Sequence, residues 1–284
     1  MQPYILSNLH THSTFCDGAY SPEDNVREAC AKKIKTLGFT SHSMYPFWTE
    51  TYMKVEDFSS YCAEIRRLKA AYASELSIRL GFEADFIPGV TVPRFEHYAA
   101  FAPDFLIGSV HFIFQRDGMF AVDNTVATLR EGVQKYYKGD MRALVGDYFA
   151  LEREMLERGD FSFVGHPDLI RKFNDTERLF DETESWYKNE LKECAKAIAK
   201  SGRATEINTG AMSRGYMTKP YPSEYFLSVL HEHGVPIVIN SDAHSKENLD
   251  YAFAVARQCA KKAGYREVIC DIDKAGYTFC ALDD

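Results

Sequence analysis

Short segments rich in β-forming residues alternate with helical segments along the whole chain of 284 residues. The predicted strands are 4–9, 36–41, 78–82, 105–110, 161–165, 204–208, 236–240 and 265–270. Helical segments are predicted from Ser21 and from Phe58 onward, and around 125–158, 185–200, 223–233 and 247–263. Strands separated by helices favour a parallel sheet with crossover connections. Seven or eight such units in this length indicate an α/β fold and a closed barrel more than an open sheet.

The chain carries no sign of an internal boundary. It has no repeat, no low-complexity tract and no Gly/Ser-rich linker, so residues 1–284 are predicted to form a single domain. The segments 112–124 and 171–184 are predicted to be loops. Loops that follow strands are where a barrel keeps its chemistry.

Histidines and carboxylates stand where the predicted strands end. The first strand ends in His10-Thr11-His12, and because residues two apart on a strand point to the same side, these imidazoles can share one metal ion. Comparable positions are held by Asp17, His42, Glu83, His111, His166, Asp242 and His244. A mononuclear zinc site needs only about three protein ligands. This larger set predicts a multinuclear site for zinc, iron or manganese.

A second His-x-His sequence has a different context. His231 and His233 end a predicted helix, where residues two apart do not face each other. Hydrogen-bonding side chains before a glycine such as Gly234 are ordinary at helix C-termini. We therefore expect no metal at this pair.

The strand-end motifs resemble those of the PHP (polymerase and histidinol phosphatase) superfamily. They are His10-Thr11-His12-Ser13, Asp17-Gly18, Ser41-His42-Ser43, Glu83, Gly108-Ser109-Val110-His111-Phe112-Ile113, Gly165-His166-Pro167-Asp168 and Ser241-Asp242-Ala243-His244. Their order covers the chain from residue 8 to about 245. Within the superfamily, the chain is most similar to the stand-alone histidinol-phosphate phosphatases.

This resemblance implies a distorted (β/α)7 TIM-like barrel that holds three divalent metal ions, zinc, iron or manganese. The implied ligands of the first ion are His10, His12, Glu83 and Asp242. Glu83 would bridge to a second ion, which His111 and His166 would also hold, and the third would take Asp17, His42 and His244. The implied activity is hydrolysis of L-histidinol phosphate, a step of histidine biosynthesis. A water that bridges two metal ions has a pKa near neutrality, so hydroxide is the expected nucleophile.

A phosphate ester also needs fixed positive groups. Arginine is the best candidate because its guanidinium fork matches phosphate oxygens. Arg171 lies five residues after His166, and Arg214 follows the strand at 204–208. The predicted catalytic residues are Glu83, Asp242, His244, Arg171 and Arg214, with Asp242 or His244 as candidate acid for the leaving group. The predicted substrate contacts are Arg171, Arg214, His42, Phe15 and Tyr216, and Phe112 and Tyr45 also stand beside the ligand motifs.

Charge and composition narrow the possible partners and compartment. The formal net charge of −8 does not favour a nucleic-acid partner, whereas bound metal ions would attract a small phosphate ester locally. The 7 cysteines include no C-x-x-C, as is typical of free thiols in a reducing compartment. The N-terminus lacks signal-peptide features, and no apolar run is long enough to span a membrane. We expect a soluble cytoplasmic protein, and the oligomeric state stays open.

Two other functions remain compatible with the sequence. The first is a PHP enzyme with another substrate, such as a nucleotide phosphodiesterase or a protein-tyrosine phosphatase. The second is a non-catalytic metal-binding or interaction protein that retained the barrel. Loss of ligand residues would favour the second, but every ligand position is filled here.

Overall fold

The computed structural model describes residues 4–42 and 51–283. The strands are β1 (Ser7–Asn8), β2 (Thr36–Phe39), β3 (Ser77–Asp85), β4 (Phe105–Ser109), β5 (Phe112–Gln115), β6 (Gly118–Ala121), β7 (Phe163–Val164), β8 (Ala204–Asn208), β9 (Ile237–Asn240), β10 (Glu267–Asp273) and β11 (Gly276–Ala281). The α-helices are α1 (Pro22–Ala31), α2 (Phe58–Ala71), α3 (Val126–Tyr137), α4 (Met141–Arg158), α5 (Asn174–Glu177), α6 (Ser185–Ser201), α7 (Gly210–Ser213), α8 (Glu224–Glu232) and α9 (Phe253–Ala263).

One sheet runs through the centre in the order β1-β2-β3-β4-β7-β8-β9-β10-β11, and its pairs are parallel except β10 with β11. The extension of β1 meets that of β9, where the N–H of His12 donates to the carbonyl of Ala243 over 2.9 Å. Seven parallel strands, β1 to β4 and β7 to β9, thereby close into a barrel. Because β10 pairs with β9 at Val238, the barrel is distorted at this seam. The predicted α/β barrel is confirmed.

Apolar side chains fill the interior of the barrel below the strand ends. Phe105 and Phe163 are fully buried, and their rings stack with centroids 6.0 Å apart. Gly81 makes room for this pair, since a Cβ there would lie 2.7 Å from the Phe105 ring. The helices pack on the outside of the sheet, where they bury a second, larger apolar layer. The apolar interior leaves the C-terminal ends of the strands as the place for polar side chains.

Several predicted boundaries differ from the structure. The helical segment 125–158 is two helices, because Lys138 and Gly139 take positive φ values of 54° and 88° and Asp140 then caps α4. The predicted loop 112–124 contains the antiparallel hairpin β5–β6, in which the two residues Arg116-Asp117 connect the paired residues Gln115 and Gly118. The segment 171–184 includes the short helix α5, and the last predicted strand continues into the hairpin β10–β11.

Within the described ranges 4–42 and 51–283, no helix combines the length and apolar character required to cross a membrane.

Candidate metal centre

The predicted ligand residues meet at one end of the barrel. Each follows or ends a barrel strand, so the parallel sheet brings residues from distant parts of the chain to the same edge. The residues that the fold brings together are His10, His12, Asp17, His42, Glu83, His111, His166, Asp242 and His244. Most are buried, whereas the side chains of Asp17 and His244 are each 25% exposed at the rim.

The first group contains two imidazoles and two carboxylates. His10 Nε2 and His12 Nε2 lie 3.3 and 3.5 Å from Glu83 Oε2. The same nitrogens lie 3.6 and 3.1 Å from Asp242 Oδ1. Two ligands at the usual zinc distance and a tetrahedral angle stand about 3.3 Å apart. Each nitrogen is therefore spaced from both carboxylate oxygens as two ligands of one metal ion are.

Buried nitrogen and oxygen atoms without hydrogen-bond partners also support a metal site. His10 Nε2 and His12 Nε2 are buried and make no hydrogen bond, and buried Asp17 Oδ1 makes none either. A buried polar atom without a partner is costly, and in native proteins it usually indicates a missing ligand, water or ion. The donor set of imidazoles and carboxylates is the one that zinc, iron and manganese accept. The residues present thus fit a divalent metal.

Glu83 stands at the centre of the site and offers each oxygen to a different set of imidazoles. Its Oε1 lies 3.0 Å from His166 Nε2 and 3.3 Å from His111 Nε2. Its Oε2 faces His10, His12 and also His42, whose Nδ1 is 3.0 Å away. A carboxylate in this position can bridge two ions.

A third group forms at the rim of the site. His244 Nε2 lies 3.4 Å from Asp17 Oδ2, and His42 Nε2 lies 3.8 Å from Asp17 Oδ1. His12 is close to both rings, with its own ring stacked on His244 at a centroid distance of 4.1 Å. The three sets with donor atoms close enough to hold an ion are His12, Asp17, His42 and His244; His10, His12 and Glu83; and His42, Glu83 and His111.

The electrostatics of the cluster suit metal binding. Burial alone would raise the pKa of Glu83, but the surrounding imidazoles, His10 first, hold it well below its usual range. For an imidazole, burial acts in the other direction. It would lower the pKa of His111, but the carboxylates of Asp85 and Glu83 raise that pKa to about 9. His12 behaves differently, since burial and neighbouring imidazoles lower its pKa to about 3. The carboxylate of Glu83 is therefore ionised and the imidazole of His12 neutral, the protonation states that metals bind, whereas binding at His111 would displace a proton.

Two carboxylates behind the ligands were not predicted from the sequence. Asp85 Oδ1 lies 2.5 Å from His111 Nδ1, and Glu206 Oε2 lies 3.0 Å from His10 Nδ1. Such outer partners orient ligating imidazoles. Asp85 had a signal in the sequence, because it stands two residues after Glu83 on the same strand and so shares its face. Glu206 had a weaker signal, a charged residue inside the buried strand β8.

The two predicted arginines lie in different environments. Arg214 lines the cavity over the site, with Nη2 at 3.2 Å from Asp242 Oδ2 and Nη1 at 2.9 Å from His244 Nδ1. Arg171 is only 6% exposed, and its Nε donates to Glu182 over 3.1 Å. The structure therefore brings Arg214 to the cavity wall and holds Arg171 behind it.

The cavity itself has a volume of about 210 Å³ and contains groups that were not predicted. The lining residues outside the ligand set are Thr51, Tyr52, Phe112, Ala121, Asp123, Asn124, Leu169, Lys172 and Arg214. Lys172 Nζ donates to the backbone carbonyl of Asp123 over 2.6 Å and lies 3.4 Å from its carboxylate. Burial lowers the pKa of this lysine. Lys172 thus adds a second cation beside Arg214.

The predicted aromatic contacts are divided in the same way. Phe112 lines the cavity, whereas Phe15 packs against Tyr61 with ring centroids 5.5 Å apart and is not in the lining. Tyr216 packs edge-on against Phe173 at 5.5 Å, also outside the lining. Tyr45 lies outside the described residues.

Similar proteins extend over almost the whole chain. A protein of Deinococcus radiodurans named a probable histidinol-phosphatase is 31% identical over 266 residues, which cover 93% of this chain and 95% of that protein. The histidinol-phosphatase of Bacillus subtilis is 26% identical over 269 residues, which cover 86% and 95% of the two chains.

A crystal structure from Listeria monocytogenes has the same fold, with a TM-score of 0.78 at 20% identity over 87% of this chain and 98% of that chain. The histidinol phosphate phosphatase of Lactococcus lactis, solved with zinc, L-histidinol and phosphate, has a TM-score of 0.72 at 22% identity, covering 95% and 99% of the two chains.

The PHP domain pattern matches residues 8–210. That stretch contains the ligand candidates from His10 to His166, and Asp242 and His244 follow it in the sequence but join them in the fold. The match covers more than half of the chain, and the similarity to the Deinococcus relative covers 93% of it. On the strength of the domain match and of this relative, the chain belongs to the PHP domain family.

Proposed function

We propose that this protein is a metal-dependent phosphomonoesterase that hydrolyses L-histidinol phosphate to L-histidinol and inorganic phosphate. The observation that carries the proposal is the shared position of Glu83, which faces imidazoles with both oxygens beneath a cavity that two cations line. A phosphatase is supported by the Deinococcus and Bacillus relatives, which are both named histidinol-phosphatases. The substrate is supported by the Lactococcus protein, which was solved with L-histidinol and phosphate.

We assign three divalent ions, zinc, iron or manganese, to the centre. Zinc has the direct support of the zinc-bound Lactococcus structure. The proposed ligands are His10, His12, Glu83 and Asp242 for the first ion, Glu83, His111 and His166 for the second, and Asp17, His42 and His244 for the third. Bound there, divalent ions lower the pKa of a coordinated water and offset the negative charge of phosphate oxygens.

Side chains of the cavity wall would hold the phosphate. Arg214 presents its guanidinium beside Asp242, and Lys172 presents its ammonium group beside Asp123. Both are fixed by hydrogen bonds before substrate arrives, so they need little reorganisation as charge moves onto the phosphate oxygens. Arg171 remains a proposed contact, but it would have to release Glu182 to reach the cavity.

The rest of the cavity suits the organic half of the substrate. Tyr52 and Phe112 give an aromatic wall for an imidazole ring, with ring centroids 6.1 Å apart. Asp123 adds a carboxylate, whose negative charge complements the ammonium group of the substrate. The proton released by the attacking water must reach the leaving oxygen. We assign this transfer to Asp242 or His244, whose Oδ1 and Nδ1 lie 3.6 Å apart.

The test is phosphate release by zinc-loaded protein from L-histidinol phosphate, p-nitrophenyl phosphate and a nucleoside monophosphate. We expect kcat/KM for L-histidinol phosphate to exceed the others by about 10³-fold, an advantage of about 4 kcal/mol in transition-state binding. Equal, feeble turnover of all three would contradict the substrate but keep the phosphatase. No turnover of any ester by metal-loaded protein would contradict the phosphatase itself.

A further inference from the structure

Glu206 is a charged residue at the core of the barrel, and hydrogen bonds surround it. It is fully buried in β8. Its Oε1 accepts from the N–H of His166 over 2.9 Å and from Asn208 Nδ2 over 2.6 Å, and its Oε2 accepts from Asn240 Nδ2 over 2.9 Å. His10 Nδ1 lies 3.0 Å from Oε2 and 3.2 Å from Oε1. A buried carboxylate is tolerated only when its oxygens are satisfied in this way.

The contact with His10 determines which ring nitrogen is free to bind a metal. A carboxylate accepts only, so His10 donates from Nδ1–H, and in the neutral ring the lone pair then resides on Nε2. That Nε2 points to Glu83 Oε2 at 3.3 Å and to Asp242 Oδ1 at 3.6 Å, within the first ligand group. Glu206 thus orients a ligand of the first ion.

The contact with His166 acts through the backbone. His166 has φ of 25°, a positive value that residues other than glycine rarely adopt. The hydrogen bond from its N–H to Glu206 helps to stabilise this turn. With the backbone so held, His166 Nε2 faces Glu83 Oε1 at 3.0 Å, within the second ligand group.

We propose that Glu206 is a positioning residue that supports ligands of two different metal ions at once, so that its loss weakens metal binding at both positions. This inference rests on the proposed three-ion centre. Outer partners of metal ligands typically contribute about 10- to 100-fold to metal affinity. Loss of a residue that serves two positions should therefore lower the affinity at each.

Asp85 provides the matched control. It is buried like Glu206 and contacts a ligand nitrogen in the same manner, since its Oδ1 lies 2.5 Å from His111 Nδ1. Its ligand belongs to the second group alone. Removing the charge of Asp85 should therefore affect one ion, whereas removing that of Glu206 should affect two.

The experiment counts zinc bound to chelator-stripped and reloaded protein. Wild type, Asp85→Asn and Glu206→Gln are dialysed at a series of buffered free zinc concentrations, and each site is compared about tenfold above its own wild-type dissociation constant, where a 10- to 100-fold loss of affinity empties half or more of that site. We expect three ions in the wild type, a fall toward two in Asp85→Asn and a fall toward one in Glu206→Gln. Circular dichroism and thermal melting of the metal-free proteins report separately on folding.

A wild-type zinc count in folded Glu206→Gln, or a loss of one ion only, would overturn the role of Glu206 and leave the phosphatase proposal intact. A wild type that binds no zinc would instead contradict the metal centre. If Glu206→Gln does not fold, Asn208→Ala carries the test, because it removes one donor to Glu206 and touches neither His10 nor His166. An unchanged zinc affinity in Asn208→Ala would then overturn the inference.

Discussion

The chain contains two His-x-His sequences, and the fold uses them in opposite ways. His10 and His12 extend β1, are buried, and turn both Nε2 atoms toward one carboxylate oxygen, with ring centroids 5.2 Å apart. His231 and His233 end α8, where the first packs edge-on against Tyr265 at 4.8 Å and the second is exposed.

The difference arises from the period of the backbone. Residues two apart share a face on a strand but lie about 200° apart around a helix. The position of the strand matters as well. The C-terminal edge of a parallel barrel brings further candidate ligands around His10 and His12. Spacing therefore indicates a metal site only together with the secondary structure that carries it.

Among substitutions around His10 and His12, the pair that extends β1, loss of Glu83 should lower metal binding and activity the most. Glu83→Gln removes the charge that both ligand groups share, so we expect the protein to lose most bound metal and its phosphatase activity to fall by more than the about 100-fold typical of outer partners. Metal content by mass spectrometry and phosphate release measure the two effects. Retained activity with full metal content would contradict the shared-carboxylate arrangement.

Replacing one histidine of each pair by alanine tests the comparison directly. His12→Ala should lose metal and activity, because His12 Nε2 lies within 3.5 Å of both Glu83 and Asp242. His233→Ala should keep the wild-type metal count and rate, since this exposed ring lies at the end of α8. The comparison fails if the two variants lose metal to the same extent.

Arg214 should matter for substrate more than for metal. A hydrogen bond to a charged group contributes about 1.5–3 kcal/mol, so Arg214→Ala should raise KM for the phosphate ester by about 10- to 100-fold. At saturating zinc the metal content should stay at the wild-type value, because Arg214 supplies none of the proposed ligand atoms and a modest loss of affinity is masked by excess metal. Steady-state kinetics on metal-saturated protein measure the change, and unchanged kcat and KM would remove Arg214 from the site.

The buried histidines should also make the metal-free protein sensitive to pH. Burial would lower the pKa of His111, but Asp85 and Glu83 raise it to about 9. Because this exceeds the unfolded value of about 6.5, the protonated ring stabilises the fold fully below pH 6.5, and this contribution is lost as pH rises through about 9.

Urea unfolding in the presence of a chelator should therefore give a free energy of unfolding that falls between about pH 6.5 and 9. His111→Asn should reduce that decline without abolishing it, because the pKa values of His10 and His42 are also raised, whereas His233→Ala should leave it as in the wild type. A flat profile in the wild type would show that the charged neighbours of His111 do not act as described.

The smallest effect is expected at the helix-borne pair. His231→Ala removes the edge-on contact with Tyr265, and such an aromatic pair contributes about 0.5–1.5 kcal/mol. Thermal melting should show a modest decrease, with metal content and kinetics unchanged. A loss of metal in this variant would mean that the His231 pair also serves the centre.

The sequence was a good guide to which candidate ligands come together, because each one lies near the end of a strand or follows one. The barrel places all the strand ends at one edge, so residues as distant as His10 and Asp242 meet without any local signal. The same reasoning predicted the parallel barrel and the helical environment of His231 and His233.

Residues that act through long-range contacts were not predictable in this way. Glu206 is 196 positions from His10 in the sequence, and nothing in its local pattern identifies that partner. Arg171 and Lys172 are adjacent cations in one turn, yet the first is held by Glu182 behind the wall and the second lines the cavity. Which of the two neighbours faces the site depends on the orientation of the short 3-10 helix Leu169–Arg171, which residue spacing does not reveal.

The most direct test of the metal centre is an anomalous-diffraction map of crystals grown with zinc. The account predicts zinc within coordination distance of both oxygens of Glu83, further zinc beside Asp17 and His244 at the rim, and none at His231 or His233. A map without zinc at Glu83, from crystals of protein that hydrolyses the phosphate ester, would contradict it.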